Sequence, residues 1–448
     1  MDRRTSRSKL VRKGVIAVAL LLAVAGGTQW YRSQMPVNVH LPKPTVPSPN
    51  ARDYYTAAGL LLVDRGVVGY AVDSKPIGSA TKFGEADALR SKWVPTGRAL
   101  TLTEKDRLVA ENQAALAKLR EGMRYSYCDA SPASFNTLFP HYSYDRAMAR
   151  LLSLEGQTLA AHGKWDDAAG AYLDTVKLGG DITKGPVLIG TLVGISCQKV
   201  GRLHCYDVVG HLSASTARYN SRRLESIDAA MPDAGEVLAG EERFTQGSLL
   251  ELFRSRDWRK AFIVGSPGDE SQPYSVTATW RLQMESPRVA YDGYTRYMDQ
   301  SVARARLPWP QQLATSVPPM PDDPLNYWLL PVFARTESLY FRSHALNRLL
   351  ATQLALRAFY AERNAYPSTL AELAPRYLSR PPLDPFADHA PLKYRRTDHG
   401  FVLYSIGPDA QDDGGKPIVA EPKVKSKNPY EMTNDTTLAG DIVAGTNY

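Results

Sequence analysis

Acidic residues crowd into one short stretch near the C-terminal end, "YSIGPDAQDDGG" (Tyr404 to Gly415). Its aspartates are Asp409, Asp412 and Asp413, and three glycines lie among them. Carboxylates on a glycine-rich loop can turn inward and bind Ca²⁺, which takes several hard oxygen ligands. Glycine and aspartate are also typical of solvated turns, in which the aspartate side chain bonds to nearby backbone. The stretch therefore indicates either a metal loop or a turn.

Motifs of enzyme active sites are missing from the sequence. It contains no HExxH, GxSxG, P-loop or GxGxxG pattern. Ser-x-x-Lys occurs at Ser6, Ser79 and Ser196, but the SDN and KTG motifs that accompany it in hydrolases do not. We therefore predict no catalytic residues.

Neighbouring polar pairs elsewhere offer little chemistry. His204 and Cys205 are adjacent, and adjacent side chains on a helix point apart, so they do not form a metal pair. The acidic pairs at 166–167 and 241–242 are expected on solvated helix faces. Paired acids that act together in a cleft cannot be identified without contacts between distant residues.

The N-terminal region predicts membrane targeting. Six basic residues stand against Asp2 in residues 1–13, and this segment carries +5 of the net charge of +8. The uncharged run 14–31 follows, long enough for a short membrane span, while its "AVA" also fits a signal-peptide cleavage site. Trp30 and Tyr31 are typical of an interfacial aromatic belt and favour a retained anchor. With the excess charge in this tail, nucleic-acid binding is not expected.

Two segments follow the anchor. Residues 32–50 contain five prolines and predict an extended, semi-rigid spacer. Residues 51–325 predict an α-helical domain. Within it, "LTEKDRLVAENQAALAKLREGM" predicts one surface helix capped by Thr103 and Asp106, whose apolar face consists of Leu108, Ala115, Leu116 and Leu119.

A helical hairpin is predicted at about 149–180. "LLSLEGQTLAAHGKWDDAAGAYLDTVKLGG" resembles one tetratricopeptide repeat, with Gly156 and Ala168 allowing close helix approach and Trp165 and Tyr172 filling the space beside them. No second copy follows at that period, so the sequence predicts a hairpin within a larger helical domain.

The apolar segment 186–213 predicts a central buried helix. Lys199, Arg202 and His204 interrupt it too early for a membrane span. It contains Cys197 and Cys205, which are too far apart on a helix for a disulfide, so they are expected to be small buried hydrophobes. A bridge to Cys128 is the alternative.

The C-terminal part, 326–448, has a different pattern. A long helix is predicted from the apolar spacing of Leu346, Leu349, Leu350, Leu356, Phe359 and Tyr360, and a short helix after Pro367. Two strand-like runs follow in "PLKYRRTDHGFVLYSIGPD", joined by a polar turn ending in Gly400. Proline-rich segments at "LPWPQQ" and "VPPMPDDP" mark the predicted boundary before this α+β unit.

The motifs "YPSTLAEL", "PLDPF", "LKYRR" and "FVLYSIGPDAQDDGG" resemble, in order and spacing, the globular part of the major pseudopilins of type II secretion systems. In that family the loop after this strand binds calcium. The resemblance implies that Ser405 and Asp409 begin the site and that Asp412 and Asp413 complete it, or Asp441 in "GDIV" after a long insert. Val15 and Ala19 occupy the positions of the phenylalanine and glutamate of a processed pilin, so polymerisation is not expected.

Together these patterns predict a mostly α, multidomain protein: a transmembrane helix, an α-helical domain with a tetratricopeptide-like hairpin, and a pseudopilin-like α+β domain with a small antiparallel sheet. We expect a bacterial protein of the cytoplasmic membrane, with its N-terminus inside and its bulk in the periplasm. Its expected role is binding or scaffolding, with calcium as cofactor and the membrane and other envelope proteins as partners. An envelope hydrolase with a carboxylate site in the α-domain, and an accessory component of a type II secretion or pilus-like machine, are the alternatives.

Overall fold

The computed structural model describes residues 27, 37–65, 100–255, 257–259, 285–330, 333–418 and 440–445. In these residues the protein is mostly helical, with a three-stranded antiparallel sheet near the C-terminal end. The predicted fold class is confirmed at this level. The basic tail and, apart from Gly27, the predicted anchor lie outside the described residues. Across the ranges above, no helix is long and apolar enough to cross a membrane.

The described helices follow one another along the chain. They are α1 (Ala51–Leu60), α2 (Leu102–Glu111), α3 (Gln113–Gly122), α4 (His141–Ala161), α5 (Trp165–Ile182), α6 (Leu188–Val208), α7 (Ala214–Ala229), α8 (Ala234–Leu252), α9 (Pro287–Ala305), α10 (Trp309–Ala314), α11 (Pro324–Leu329) and α12 (Phe333–Arg363). Short 3-10 turns lie at Val209–His211 and Leu370–Leu373.

The segment predicted as one surface helix forms two. The N-cap is Thr101, whose hydroxyl accepts a hydrogen bond from the Glu104 backbone, so the predicted cap at Thr103 and Asp106 was wrong. The helix breaks at Asn112, whose buried side chain donates to the Leu108 carbonyl at 2.9 Å. The four residues predicted to share an apolar face are all fully buried.

The predicted hairpin is formed by α4 and α5. Gly163 lies in the turn with φ of 74°. A Cβ atom on Gly156 would lie 2.3 Å from the ring of Tyr172, so a side chain there would displace this buried tyrosine. Trp165 stacks on the imidazole of His211, with ring centroids 4.2 Å apart. The resemblance to a tetratricopeptide repeat stays a prediction.

The backbones of α5 and α6 approach each other unusually closely. A Cβ atom on Gly179 would lie 2.4 Å from the Gly194 carbonyl oxygen, and one on Gly194 would lie 2.5 Å from that of Gly179. Further along the crossing, a Cβ atom on Gly201 would lie 2.5 Å from the Tyr172 carbonyl oxygen. Three glycines therefore set the distance between these two helices.

The predicted central helix is α6. Cys197 and Cys205 are buried along it, Cys128 is partly exposed, and all three are free thiols. Burial raises the pKa of the Cys205 thiol to about 12. The interpretation of the two helical cysteines as small buried hydrophobes is confirmed.

The proline-rich spacer runs along the helical part once it enters the described ranges. Residues 37–49 form no helix or strand, but Val37 packs against the apolar cluster of α8 and α9. Asn50 ends the segment by capping α1, and its side chain exchanges two hydrogen bonds with the Cys128 backbone, at 2.9 and 3.0 Å. This end of the spacer is therefore attached to the helices.

The sheet consists of β1 (Lys393–Thr397), β2 (Gly400–Ser405) and β3 (Ile442–Val443), with β2 in the centre. The two predicted strands and the turn ending in Gly400 are confirmed, and the register pairs Thr397 with Gly400. The third strand comes from "GDIV" and pairs Ile442 with Ser405.

Helix α12 is buried on more than its predicted face. Of the six predicted face residues only Tyr360 is partly exposed, and other positions such as Leu354 and Ala358 are fully buried as well. The cause is its position, because α12 packs extensively on α7 and also contacts β2.

One apolar cluster spans the predicted domain boundary at residue 326. It combines buried residues of α5, α7 and α12 with residues of the sheet. Trp309, from the proline-rich segment predicted to mark the boundary, is buried in this cluster between Phe341 and Phe386. The helices before residue 326 and the α+β unit therefore share a core.

Candidate functional site

Ser405 ends β2 as a fully buried residue. Its hydroxyl donates to Oδ1 of Asp384 at 2.7 Å, and the Ile406 N–H donates to Oδ2 at 2.9 Å. The Phe386 N–H also donates to Asp384 at 3.0 Å. Burial raises the pKa of Asp384, although these hydrogen bonds oppose the shift. The Ser405 hydroxyl is thus used to hold the segment "PLDPF" against the end of β2.

A tight turn connects β2 to the acidic residues. Gly407 has φ of 76°, and a Cβ atom there would lie 2.6 Å from the Gly440 carbonyl oxygen. The Pro408 carbonyl accepts a hydrogen bond of 2.9 Å from the buried indole N–H of Trp309. This bond fixes the tip of the turn to the first residue of α10.

The side chains of Asp409 and Asp412 bond to groups in and beside the turn. Asp409 accepts a hydrogen bond from the Gln411 N–H at 3.2 Å. Asp412 accepts from the Tyr404 hydroxyl at 2.9 Å and forms an ion pair of 3.0 Å with Lys393. The Lys393 ammonium is the main cause that lowers the pKa of Asp412.

Asp441 closes the loop from the far side of the insert. Its fully buried carboxylate accepts hydrogen bonds from the Asp413 N–H at 3.3 Å and the Gly415 N–H at 2.6 Å. Burial raises the pKa of Asp441, and the carboxylates of Asp412 and Asp413 add to the rise. From the sequence, Asp441 was the alternative to Asp412 and Asp413 for completing the site. The structure places all three residues close together.

This loop has the residue types of a calcium site, but other groups of the protein already bond to some of its carboxylates. Backbone N–H groups donate to the Asp441 carboxylate and Lys393 pairs with Asp412, so these two carboxylates already have protein partners. In the described ranges no three histidine, cysteine or acidic side chains are arranged to hold a metal ion. To serve as a calcium ligand, Asp412 would have to exchange Lys393 for the ion.

A second cluster of ionisable groups lies at the start of α4 and was not predicted. His141 and Asp129 form a buried pair, with Nε2 of His141 3.1 Å from the carboxylate, and Arg52 contacts the same aspartate at 3.1 Å. Asp145 lies one turn along α4 from His141 and is 2% exposed. Burial and the charge of Asp129 raise the pKa of Asp145 to about 8. The pattern His-x-x-x-Asp places both on one helix face, but only packing shows that the face is buried.

The acidic pair at 241–242 also departs from the expectation of solvated carboxylates. Glu241 accepts a hydrogen bond of 2.7 Å from the Leu188 N–H and so caps the N-terminus of α6. Burial raises the pKa of Glu241, and it raises the pKa of Glu242 to about 7 with help from Asp299. The pair at 166–167 is exposed as expected, and Asp166 accepts from Ser213.

A buried polar network joins the helices to the α+β unit. Arg202 of α6 donates to Asn347 of α12 at 2.7 Å, and burial lowers the pKa of its guanidinium to about 10. Asp228 of α7 contacts His344 at 2.7 Å and Arg348 at 2.9 Å. Arg348 also donates to the Leu383 carbonyl, next to Asp384. Polar contacts thus continue from α6 to the end of β2.

The chain matches no protein-family model, and no curated protein or solved structure is significantly similar to it.

Proposed function

We propose that this chain is a membrane-anchored protein of the bacterial envelope whose helices present a pseudopilin-like head for binding or scaffolding. The main support is that α12 belongs to both parts: it packs on α7 and also carries the sheet. A head held in this way keeps a fixed orientation, which suits a scaffold. The order of long helix, short helix and antiparallel strands matches the expected head.

Calcium is proposed as the stabiliser of the head. The support is the convergence of Asp412, Asp413 and Asp441, whose mutual repulsion a divalent cation would relieve. A cation that binds only the folded state raises its stability.

The test is thermal unfolding of the detergent-solubilised full chain in millimolar calcium and in chelator. We expect a higher midpoint with calcium. Asp413→Asn should lose the shift, whereas Asp398→Asn, in the exposed turn between β1 and β2, should keep it. Coincident midpoints for the unmodified chain would rule out the calcium site.

The envelope location is tested separately. After cell fractionation we expect the chain in the cytoplasmic membrane, with an epitope at its C-terminus accessible to protease only once the outer membrane is opened. Protection of that epitope until the inner membrane is broken would contradict the proposal. Crosslinking in intact cells would then identify envelope partners, and pseudopilins among them would favour a role in a secretion machine.

A hydrolase with a carboxylate site receives less support. The candidate acids in the helical part are Asp129 and Asp145, whose pKa values are shifted in opposite directions, as in many acid and base pairs. Both are enclosed, however, at 4% and 2% exposure, so a polymeric envelope substrate has no approach to them.

A further inference from the structure

The loop of residues 130–140, which precedes α4, exposes two large apolar side chains. Leu138 is 84% exposed and Phe135 is 44% exposed. The next residue, Phe139, packs inward instead, stacking on Tyr142 and lying 5.8 Å from Phe244 of α8 between ring centroids. Apolar side chains exposed together on one loop indicate a surface that contacts protein or membrane, whereas single scattered ones carry no such meaning.

Hydrogen bonds hold the tip of this loop in one shape. The Thr137 N–H donates to the Ser134 carbonyl at 3.0 Å, which closes a turn around Phe135 and Asn136. The Thr137 hydroxyl donates to the Pro132 carbonyl at 2.6 Å, and the Asn136 N–H donates to the Ser134 hydroxyl at 3.2 Å. The tip is therefore ordered before it binds anything, so that binding loses little conformational entropy.

The ionisable groups of this region lie at the base of the loop. Residues 130–140 contain no aspartate, glutamate, lysine, arginine or histidine. Asp129 and His141 flank them as a buried pair 3.1 Å apart, and Arg52 contacts the same aspartate. Charged side chains are costly to place in a bilayer, whereas phenylalanine and leucine are favourable there. An uncharged loop with an apolar tip is thus suited to entering lipid.

The spacer runs beside this loop. A Cβ atom on Gly247 of α8 would lie 3.7 Å from Cδ1 of Leu41 and 2.6 Å from Cβ of Ala133, so the spacer and the loop meet at the same point of α8. Val37 packs on the cluster of α8 and α9. The predicted anchor ends at Tyr31, six residues before Val37, and six residues span at most about 20 Å. The bilayer that holds the anchor is therefore near the side of α8 that carries the loop.

We propose that the tip of the 130–140 loop enters the interface of the lipid bilayer, with Phe135 and Leu138 as the inserted side chains. This contact rests on the proposed membrane anchor and adds a second attachment point to it. Two side chains alone bind a bilayer weakly, but the anchor keeps the tip at a high effective concentration beside the lipid. A bilayer suits the tip better than a protein partner does, because protein interfaces have a polar rim that this uncharged loop lacks. Attachment at two points fixes the tilt of the helices over the membrane.

The test uses the full chain reconstituted in liposomes of phosphatidylethanolamine and phosphatidylglycerol. An environment-sensitive fluorophore is attached at Leu138→Cys and, as a matched control, at Tyr219→Cys, which is exposed on α7. Both variants also carry Cys128→Ser, since the other two cysteines are buried. Nitroxide groups on the lipid acyl chains should quench the label at position 138 several-fold more than the label at position 219. The emission at position 138 should also shift to shorter wavelength.

Flotation of the liposomes separates this result from the test of the anchor. If the chain floats with the lipid and both labels are quenched equally, the lipid contact is refuted while the anchor stands. If the chain does not float, the anchor is refuted and the bilayer is lost as the partner of the tip. A label at position 138 that is shielded from iodide but not quenched by lipid would mean that protein, such as a second copy, covers the tip, and would overturn the lipid contact.

Leu138→Asp tests whether the apolar side chains drive the contact. With the fluorophore at Phe135→Cys, lipid quenching should be lost in Leu138→Asp and kept in Leu138→Phe. Because Leu138 is exposed, neither change should alter the thermal midpoint of the detergent-solubilised chain appreciably. Quenching that persists in Leu138→Asp would contradict insertion of this tip.

Discussion

Asp145 is a residue whose titration should contribute strongly to the pH dependence of stability near neutrality. The folded protein keeps its proton up to a pKa of about 8, because the carboxyl is buried and faces Asp129. The unfolded chain releases the same proton near pH 4, roughly the ordinary value for aspartate. Between these values the folded state binds more protons, so the free energy of unfolding falls as pH rises.

Replacing Asp145 by asparagine should remove this contribution. From pH 5 to pH 8 the unmodified chain should lose up to about 1.4 kcal/mol of unfolding free energy per pH unit through this residue, whereas the variant should not. Urea unfolding in sodium buffers across this range measures the difference. Parallel curves for the two proteins would mean that Asp145 is already ionised in the folded state.

Asp384 should contribute more to stability than its hydrogen-bond partner Ser405. Asp384→Ala leaves the N–H groups of Ile406 and Phe386 and the Ser405 hydroxyl without their buried acceptor, and should lower the unfolding free energy by about 3 kcal/mol or more. Ser405→Ala removes the bond to Asp384 and the longer bond of 3.4 Å that the hydroxyl accepts from the Gly407 N–H, and should cost about 1 kcal/mol.

Urea unfolding of the two variants beside Asp398→Ala, an exposed control, measures these costs. The control should change stability by less than about 0.5 kcal/mol. If Ser405→Ala proved as costly as Asp384→Ala, the serine would have a role beyond these two bonds.

At the scale of elements, the crossing of α5 and α6 depends on glycine. Gly179→Ala inserts a Cβ atom 2.4 Å from the Gly194 carbonyl oxygen, so the helices must separate, and we expect a loss of about 2 kcal/mol or more. Gly170 lies on the same helix, where a Cβ atom would have no neighbour within 4 Å, and Gly170→Ala should stabilise by about 0.5 kcal/mol. Thermal midpoints of the two variants should therefore shift in opposite directions.

Comparing these two variants is informative because both replace a helical glycine by alanine and so raise helix propensity equally. If Gly179→Ala also stabilised the chain, α5 and α6 would be farther apart in solution than this packing requires.

At the scale of the whole molecule, the α+β unit should not fold alone. Leu346, Leu349 and Leu350 belong to a cluster that includes residues of α5 and α7, and cutting the chain at residue 326 would expose them. Segment 326–448 should therefore show helical signal by circular dichroism without a cooperative thermal transition, whereas the full chain should show one. A cooperative transition in the segment would establish an autonomous domain with the predicted boundary.

Local patterns predicted the elements of this protein well. The spacing of leucines predicted one face of α12, the strand-like runs joined by the turn at Gly400 predicted β1 and β2, and the small residue Gly156 helped to predict the hairpin. These features depend on residues within a few turns of each other, so their periodicity is visible in the chain. The acidic loop after β2 was located for the same reason.

Tertiary structure decided what these elements contact. Asp441 joins Asp413 only because β3 pairs with β2 across the insert, and Asp129 meets His141 only because the loop before α4 folds back on it. Glu241 caps α6 from another helix, although its sequence neighbourhood resembles a solvated face. Composition and spacing thus determined most of the helices, the strands β1 and β2, and the acidic turn. Which carboxylates are buried, paired or neutral was determined by packing between residues far apart in the chain, because desolvation and charge depend on distance in space.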